Sequence, residues 1–205
     1  MRIKICGLTE IEHVKTCVNN NADFCGFILN YKKSHRYVDF KKLSQLISVD
    51  KKGSQYVGVL VNPTSEEIKI FSKTKLDYFQ IYGDISVQKI EEIKYQHQKK
   101  IIIAIQVKSR KDIEKYKVYQ NVADIILFDS SGLEKSLSWN YDWIRNVPSS
   151  VNKMLAGNLN IDMLEKLKEI TDIVDVSGAL ETNKVKDVIK IKKFLNKIKE
   201  INDKN

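Results

Sequence analysis

The sequence predicts an α/β fold: a compact, single-domain (β/α)8 TIM barrel. Three observations predict it. Short apolar runs and amphipathic segments alternate from end to end, eight of each, and strict alternation implies a parallel sheet with helices outside. The apolar runs are continuous and rich in β-branched or aromatic residues, as strands buried on both faces should be. The 205 residues suffice for one sizeable core but not comfortably for two. They fall short of the ~250 typical of the barrel, so insertions must be few. The barrel is assigned to residues 1–200, with 201–205 expected to fray.

The strands are expected at 2–6, 24–29, 56–61, 78–82, 101–107, 124–128, 153–156 and 173–177. Between them the helical patterns fall at 9–20, 39–48, 64–73, 86–97, 109–118, weakly at 140–146, then at 160–169 and 184–199. Thr9 before Glu12, Thr64 before Glu67 and Ser109 before Asp112 have the spacing of a capping box. In the last helix Val185, Val188, Ile189, Ile191, Phe194, Leu195 and Ile198 form one apolar stripe. The longest irregular stretch, Ser130 to Trp139, follows the sixth strand. On a barrel's active face such a loop is usually functional or mobile.

Composition narrows the partners. The net charge is +9, but the lysines are spread over every helix, which reads as solvated faces rather than a nucleic-acid footprint. A basic chain does attract anionic substrates. There is no uncharged apolar run long enough to span a bilayer, and the N-terminus enters a strand directly without a secretion signal. Cys6, Cys17 and Cys25 are an odd number without paired spacing, which fits a reducing compartment. A cytoplasmic protein is expected, with no membrane or nucleic-acid partner. A monomer is expected, with a homodimer as the alternative. With only His13, His35 and His97 as further soft ligands, and no metal-type spacing among them, neither metal nor cofactor is expected.

In this fold the strand ends share one face. They carry Cys6, Asn30, Asn62, Gln80, Tyr82, Gln106, Asp129, Gly157 and Asp175. Cys6 ends the first strand just before Gly7. It reads either as a buried structural thiol or as a base whose pKa is lowered by nearby positive charge or by the backbone N–H groups of Gly7-Leu8 leading into the helix. Asp129 ends an apolar strand, where an ionised carboxylate is too costly to be filler. It reads as a cap, as a salt-bridge partner, or as an acid whose pKa partial burial raises. Cys17 and Cys25 read as packing. Ala156-Gly157-Asn158 and Ser177-Gly178-Ala179 put small residues after the last two strands, the usual phosphate site of such barrels. Arg36 is either a fork for a carboxylate or a solvated arginine.

Taken together, Lys4-Ile5-Cys6-Gly7-Leu8-Thr9, Ala22-Asp23, Gly26-Phe27, Ser34-His35-Arg36-Tyr37-Val38, Val57 to Asn62, Phe79 to Gly83, Leu155 to Asn160 and Val174 to Gly178 resemble the phosphoribosylanthranilate isomerases of tryptophan biosynthesis across nearly the whole chain. The resemblance implies an aldose–ketose isomerase that carries out an Amadori rearrangement on a small phosphorylated substrate. It implies Cys6 as general base at C2′ and Asp129 as general acid at the furanose oxygen. Arg36 would hold the anthranilate carboxylate. Gln80 and Asp175 would contact substrate, and Gly157, Asn158, Ser177 and Gly178 would form the phosphate cradle. Tyr82 stands where the family usually has histidine, Asn158 where it has a second glycine, and Ala179 where it has the glycine of Ser-Ser-Gly. The lid after Asp129 keeps one glycine, Gly132. These changes fall on the phosphate contacts and the lid, because Asn and Ala restrict backbone shapes that Gly allows.

Two alternatives follow from the same residues. One is another phosphate-binding barrel enzyme of the pathway, of the indole-glycerol-phosphate synthase or tryptophan synthase α type. The first would need a catalytic lysine, and Lys4 lies two residues before its strand's end. The other is a basic, non-catalytic polyanion-binding protein.

Overall fold

The computed structural model describes residues 1–130 and 137–204. Most of the expected lid, 131–136 with Gly132, lies outside the described residues. Eight parallel strands close into a barrel in sequence order. They are β1 (Arg2–Cys6), β2 (Phe24–Ile28), β3 (Gln55–Val61), β4 (Tyr78–Tyr82), β5 (Lys100–Val107), β6 (Ile125–Ser130), β7 (Lys153–Leu155) and β8 (Ile173–Val176). Closure comes from β8 pairing with β1, in a register that places Lys4 opposite Asp175.

Side chains alternate across each strand, so two cores result. Outward residues such as Ile3, Ile5, Phe27, Phe79, Ile103 and Phe128 pack beneath the helices. Inward residues such as Phe24, Val57, Ile102, Leu127, Met154 and Ile173 fill the barrel. The same alternation turns Lys4, Gln80 and Asp175 inward, all buried, one step below the residues at the mouth.

The outer helices are α1 (Ile11–Asn19), α2 (Phe40–Leu46), α3 (Ser65–Ser72), α4 (Val87–His97), α5 (Arg110–Ile113), α6 (Tyr116–Tyr119), α7 (Leu164–Leu167) and α8 (Val188–Asp203). The Thr64–Glu67 capping box at α3 is formed on both sides; at Ser109–Asp112 the carboxylate accepts from the Ser109 N–H, but the Asp112 N–H goes to the Ser109 backbone carbonyl. Thr9 is not a cap. The backbone N–H groups of Gly7 and Leu8 both bond to the Gly26 carbonyl, so the chain first crosses to β2. α1 begins only after Glu10, which is extended and makes no side-chain cap bond.

Three helical patterns are shorter than expected. The 109–118 pattern splits into α5 and α6, 140–146 is the 3-10 helix Tyr141–Asn146, and 160–169 is a 3-10 turn followed by α7. The last helix departs at both ends. Residues 181–186 form a hairpin, β9 (Glu181–Thr182) with β10 (Val185–Lys186). Its two turn residues, Asn183 and Lys184, have φ of 51° and 64°, the left-handed pair that suits a two-residue hairpin turn. Asp187 then caps α8 through the N–H groups of Ile189 and Lys190. At the other end residues 201–203, expected to fray, continue the helix. Ile201 is buried there, and Asn202 bonds both the amino group and the carbonyl of Met1.

Thr64→Ala removes an exposed cap in the loop after β3, whose side chain does not line the pocket. It should cost about 1 kcal/mol, read as a lower urea midpoint with an unchanged slope.

Candidate active site

One pocket opens at the carboxyl ends of the strands. All nine site residues expected from the sequence line it: Cys6, Arg36, Gln80, Asp129, Gly157, Asn158, Asp175, Ser177 and Gly178. Tyr82 lines it as well. Three other strand ends serve the scaffold. Asn30 straps Val61 through both its N–H and its carbonyl. Asn62 packs against Gly83 so closely that a Cβ on Gly83 would lie 1.8 Å from its Oδ1. Gln106 pairs beside Asp129 in the sheet without lining the pocket. Cys17 and Cys25 are buried in the outer core, as expected of packing residues.

Cys6 sits at the mouth of β1 with 8% exposure. The backbone donors expected to favour its thiolate are spent on Gly26, as described above. Positive charge reaches it instead from Lys4, two residues earlier on the same face of the strand. Lys4 has no solvent exposure, and its ammonium lies 2.8 Å from Asp175 Oδ2. Burial pulls the Lys4 pKa down, but Asp175 and Cys6 more than offset this, and the group stays charged. For Cys6 the balance goes the other way. Burial pushes the thiol up and Asp175 adds to it, while Lys4 and Lys186 pull it down, and the net shift is upward. The expected lowering therefore does not hold in the free protein. Gly26 makes the contact possible, since a Cβ there would lie 3.0 Å from Cys6 Sγ and 3.1 Å from Lys4 Nζ.

Asp129 behaves as expected of a buried acid. Burial is the main cause that lifts its pKa to about 6, with Asp175 adding to the rise. Hydrogen bonds pull the other way. The Tyr82 hydroxyl donates to Oδ2 at 2.7 Å and Ser130 N–H donates to Oδ1 at 2.7 Å.

Arg36 is buried rather than solvated. Its Nε and Nη2 form a fork on Glu181, the latter at 3.0 Å. Lys186, from the other strand of the hairpin, bonds the same carboxylate and reaches Ser177 Oγ at 3.4 Å. Burial raises the Glu181 pKa, but the bonds from Arg36 and Lys186 outweigh it and hold the group at about 2. Gly7, at φ 75°, leaves room for Arg36, whose Cδ would lie 2.4 Å from a Cβ there.

The two small-residue loops follow the adjacent strands β7 and β8 and line the pocket side by side. Gly157 has φ 105° and Asn158 has φ 49°, so asparagine takes up the left-handed shape a glycine would supply, a conformation it tolerates. Its Nδ2 donates to Ser138 Oγ at 2.9 Å. Ser177 Oγ donates to the Cys6 carbonyl at 3.0 Å, and Gly178–Leu180 forms a 3-10 turn. Among the described residues no group of His, Cys, Asp and Glu converges as a metal site. No helix among them is long and apolar enough to cross a membrane.

Sequence reasoning missed Glu181 and Lys186, and gave Lys4 and Tyr82 no part in the acid–base pair. Lys4 could have been found from its spacing of two from Cys6, and Tyr82 from sharing a strand face with Gln80. Glu181 and Lys186 depend on the hairpin, which was not anticipated.

Comparison with known proteins agrees with this geometry. The family model for N-(5'-phosphoribosyl)anthranilate (PRA) isomerase matches residues 3–197. The N-(5'-phosphoribosyl)anthranilate isomerase of Clostridium acetobutylicum is 33% identical, with 98% of each chain covered. That of Streptococcus mutans is also 33% identical, over 97% of this chain and 99% of its own. The crystal structure of phosphoribosyl anthranilate isomerase from Thermotoga maritima superposes with a TM-score of 0.86 at 26% identity, covering 98% of this chain and 99% of that one. A structure of phosphoribosyl anthranilate isomerase in complex with reduced 1-(o-carboxyphenylamino)-1-deoxyribulose 5-phosphate gives a TM-score of 0.84, also at 26% identity and with the same coverage.

The electrostatic reading of Cys6 is testable by its reactivity. Lys4→Met removes the main opposing charge, so the thiol should rise further and its alkylation by iodoacetamide at pH 8 should slow by about tenfold per unit of rise. Mass spectrometry of the Cys6 peptide measures this, with circular dichroism checking the fold, because an unpaired Asp175 costs about 3–5 kcal/mol. An unchanged rate in folded protein would separate Lys4 from the sulfur.

Proposed function

The chain belongs to the N-(5'-phosphoribosyl)anthranilate isomerase family, and we propose that Cys6 and Asp129 are its acid–base pair. The enzyme is an aldose–ketose isomerase of tryptophan biosynthesis. It converts N-(5'-phosphoribosyl)anthranilate to 1-(2-carboxyphenylamino)-1-deoxyribulose 5-phosphate. The observation that carries the assignment of roles is the shared pocket. Cys6 and Asp129 end strands separated by two others on one side and four on the other, and both line the same opening.

The chemistry needs one proton delivered and one removed. Asp129 gives its proton to the furanose oxygen as the C1′–O bond breaks. The anthranilate nitrogen lone pair forms the C1′=N bond, leaving an iminium. The Cys6 thiolate takes the C2′ proton, and the C–H electrons form C1′=C2′ while the iminium π electrons return to nitrogen. The resulting enol loses its O2′ proton and gains one at C1′, giving the ketose. A raised carboxyl pKa near neutrality suits the first step, because a stronger acid would be empty of its proton at working pH.

The remaining residues bind. Arg36, fixed at the rim by Glu181, receives the anthranilate carboxylate. Asp175 Oδ1, buried without a partner among the described residues, accepts a ribose hydroxyl while Oδ2 stays on Lys4, and Gln80 supports the pocket floor beside it. Gly157, Asn158, Ser177 and Gly178 cradle the phosphate, with Lys186 behind Ser177. A cytoplasmic location and a monomeric state complete the proposal. A homodimer is the alternative, since one Thermotoga maritima structure of this family describes monomers generated from a dimeric enzyme.

Turnover is followed as loss of anthranilate-type fluorescence from the substrate. Cys6→Ser and Asp129→Asn should each lower kcat by at least about 10²–10⁴ in folded protein, while Cys17→Ser keeps full activity. Near-normal turnover in either variant would remove that residue from the mechanism. In the wild type, kcat/KM should fall below about pH 6 and again at alkaline pH. The signs follow from counting protons. Below the Asp129 value both groups are protonated and no base remains. Above the raised thiol value both are bare and no acid remains. A profile flat down to pH 4 would contradict the pairing.

A further inference from the structure

Among the described residues Tyr82 is the one at the mouth that both departs from the family pattern and touches a proposed reacting group with its side chain. Its hydroxyl donates to Asp129 Oδ2 at 2.7 Å and accepts from Gln80 Nε2 at 3.3 Å. All three side chains face inward, and Gln80 is 1% exposed. Gln80 Oε1, the other end of the same amide, is buried and has no hydrogen-bond partner among the described residues. A half-turn of that amide brings Oε1 to where Nε2 now is.

We propose that Gln80 and Tyr82 form a reversible hydrogen-bond chain that positions Asp129 and holds it in both of its protonation states. When Asp129 is ionised the chain runs as seen, amide N–H to phenol, phenol O–H to carboxylate. When Asp129 carries its proton on Oδ2, that proton points at the phenol oxygen, and the phenol O–H turns to Gln80 Oε1. The phenol keeps a link to Asp129 and a link to Gln80 in either state, and only the far end of the Gln80 amide stays unpartnered among the described residues. The link to Asp129 matters because an unmade buried bond costs about 1–3 kcal/mol. A buried acid that must empty and refill each turnover would otherwise bear that cost in one half of the cycle. Ser130 N–H donates to Oδ1 and cannot reverse, so only the Oδ2 side can adapt. Tyr82 is suited to this by its own titration. Burial first, then Asp129, hold its pKa well above the ordinary phenol value, so it keeps its proton throughout the working range.

The other groups around Asp129 do not supply this function. From β8, Asp175 pushes the Asp129 pKa up, and from β1, Lys4 pulls it down. Cys6, also on β1, faces Tyr82, and Tyr141 feels Asp129 from the segment before β7. From β5 the neighbour is Gln106, which does not titrate. Tyr82 is the only one of these titratable groups that donates a hydrogen bond to the Asp129 side chain among the described residues.

The inference rests on Asp129 being the general acid, and Asp129→Asn tests that premise separately. The direct test is Tyr82→Phe, which keeps the ring. Tyr82→Phe removes the phenol partner of both states, but a charge-assisted bond is about twice as strong as a neutral one, so the ionised state loses more and the Asp129 pKa and the acid limb of kcat/KM should rise by up to about one unit. The Asp129 carboxyl carbon, followed by NMR titration of 13C-labelled aspartate, should move with it in the absence of substrate. Tyr82→His restores a donor and should return the limb to its starting value or below. A Tyr82→Phe protein with both limb and NMR titration unmoved would overturn the proposal, even with Asp129→Asn inactive. Packing of the ring alone would leave both readings where they were.

Discussion

A lysine with 0% exposure inside a barrel survives only if its charge is met there. An ion pair of this kind is commonly no more stabilising than apolar side chains of the same volume, so core stability does not explain Lys4 and Asp175. Their effect on neighbours does. Lys4 pulls down the Cys6 thiol and the Asp129 carboxyl, and Asp175 pushes both up. The pair is the electrical midpoint of the pocket, and its place is set by the closing register between β1 and β8. A slip of one strand by one residue there would turn its charge into the outer core and leave the other charge unpaired inside the barrel.

Two small spaces and one clamp let this arrangement exist. Gly26 leaves the gap that Cys6 and Lys4 occupy, and Gly7 leaves the one that Arg36 crosses. The clamp is the hairpin after β8. Its Glu181 carboxylate gathers Arg36, Lys186 and His35, so the β2 side of the mouth is tied to the β8 side without covalent linkage. Burial alone would lower the Lys186 pKa, and Glu181 resists that shift.

The parts of the structure that local chemistry determines were legible in the sequence. Strands buried on both faces read as apolar runs, and their ends fell within two residues of the observed ones. Cys6 and Asp129 stood out because polar groups ending apolar strands need a reason. The hairpin was hidden because Val185 continues the apolar stripe of α8, although it is exposed in the fold. Its actual signal was Asn183 in a left-handed turn, weak beside so strong a helical pattern. Lys4, Tyr82 and Glu181 were harder for another reason. What they do depends on partners 171, 47 and 145 residues away along the chain, and only barrel closure brings these together.

Charge accounting across the pocket explains how a thiol raised by burial can still serve as a base. In the free protein Lys4 is met by Asp175, while Lys186 and Arg36 share the one carboxylate of Glu181, and the positive charge left over does not offset the burial of the Cys6 thiol. The substrate arrives with a carboxylate and a phosphate, both anionic, drawn by a chain of net charge +9. Neither favours the thiolate. The field changes only when the ring opens, because the iminium places a cation on the atom next to C2′. Once the thiol has given its proton to solvent at the open mouth, thiolate and iminium stabilise each other in a cavity where water screens little. The interaction is absent from the bound ground state and present on the path to proton removal, which is the condition for binding energy to appear as rate. A thiol already ionised in the empty site would have spent that stabilisation on Lys4. The upward shift of Cys6 is therefore consistent with the role of base proposed for it, provided the acid acts first.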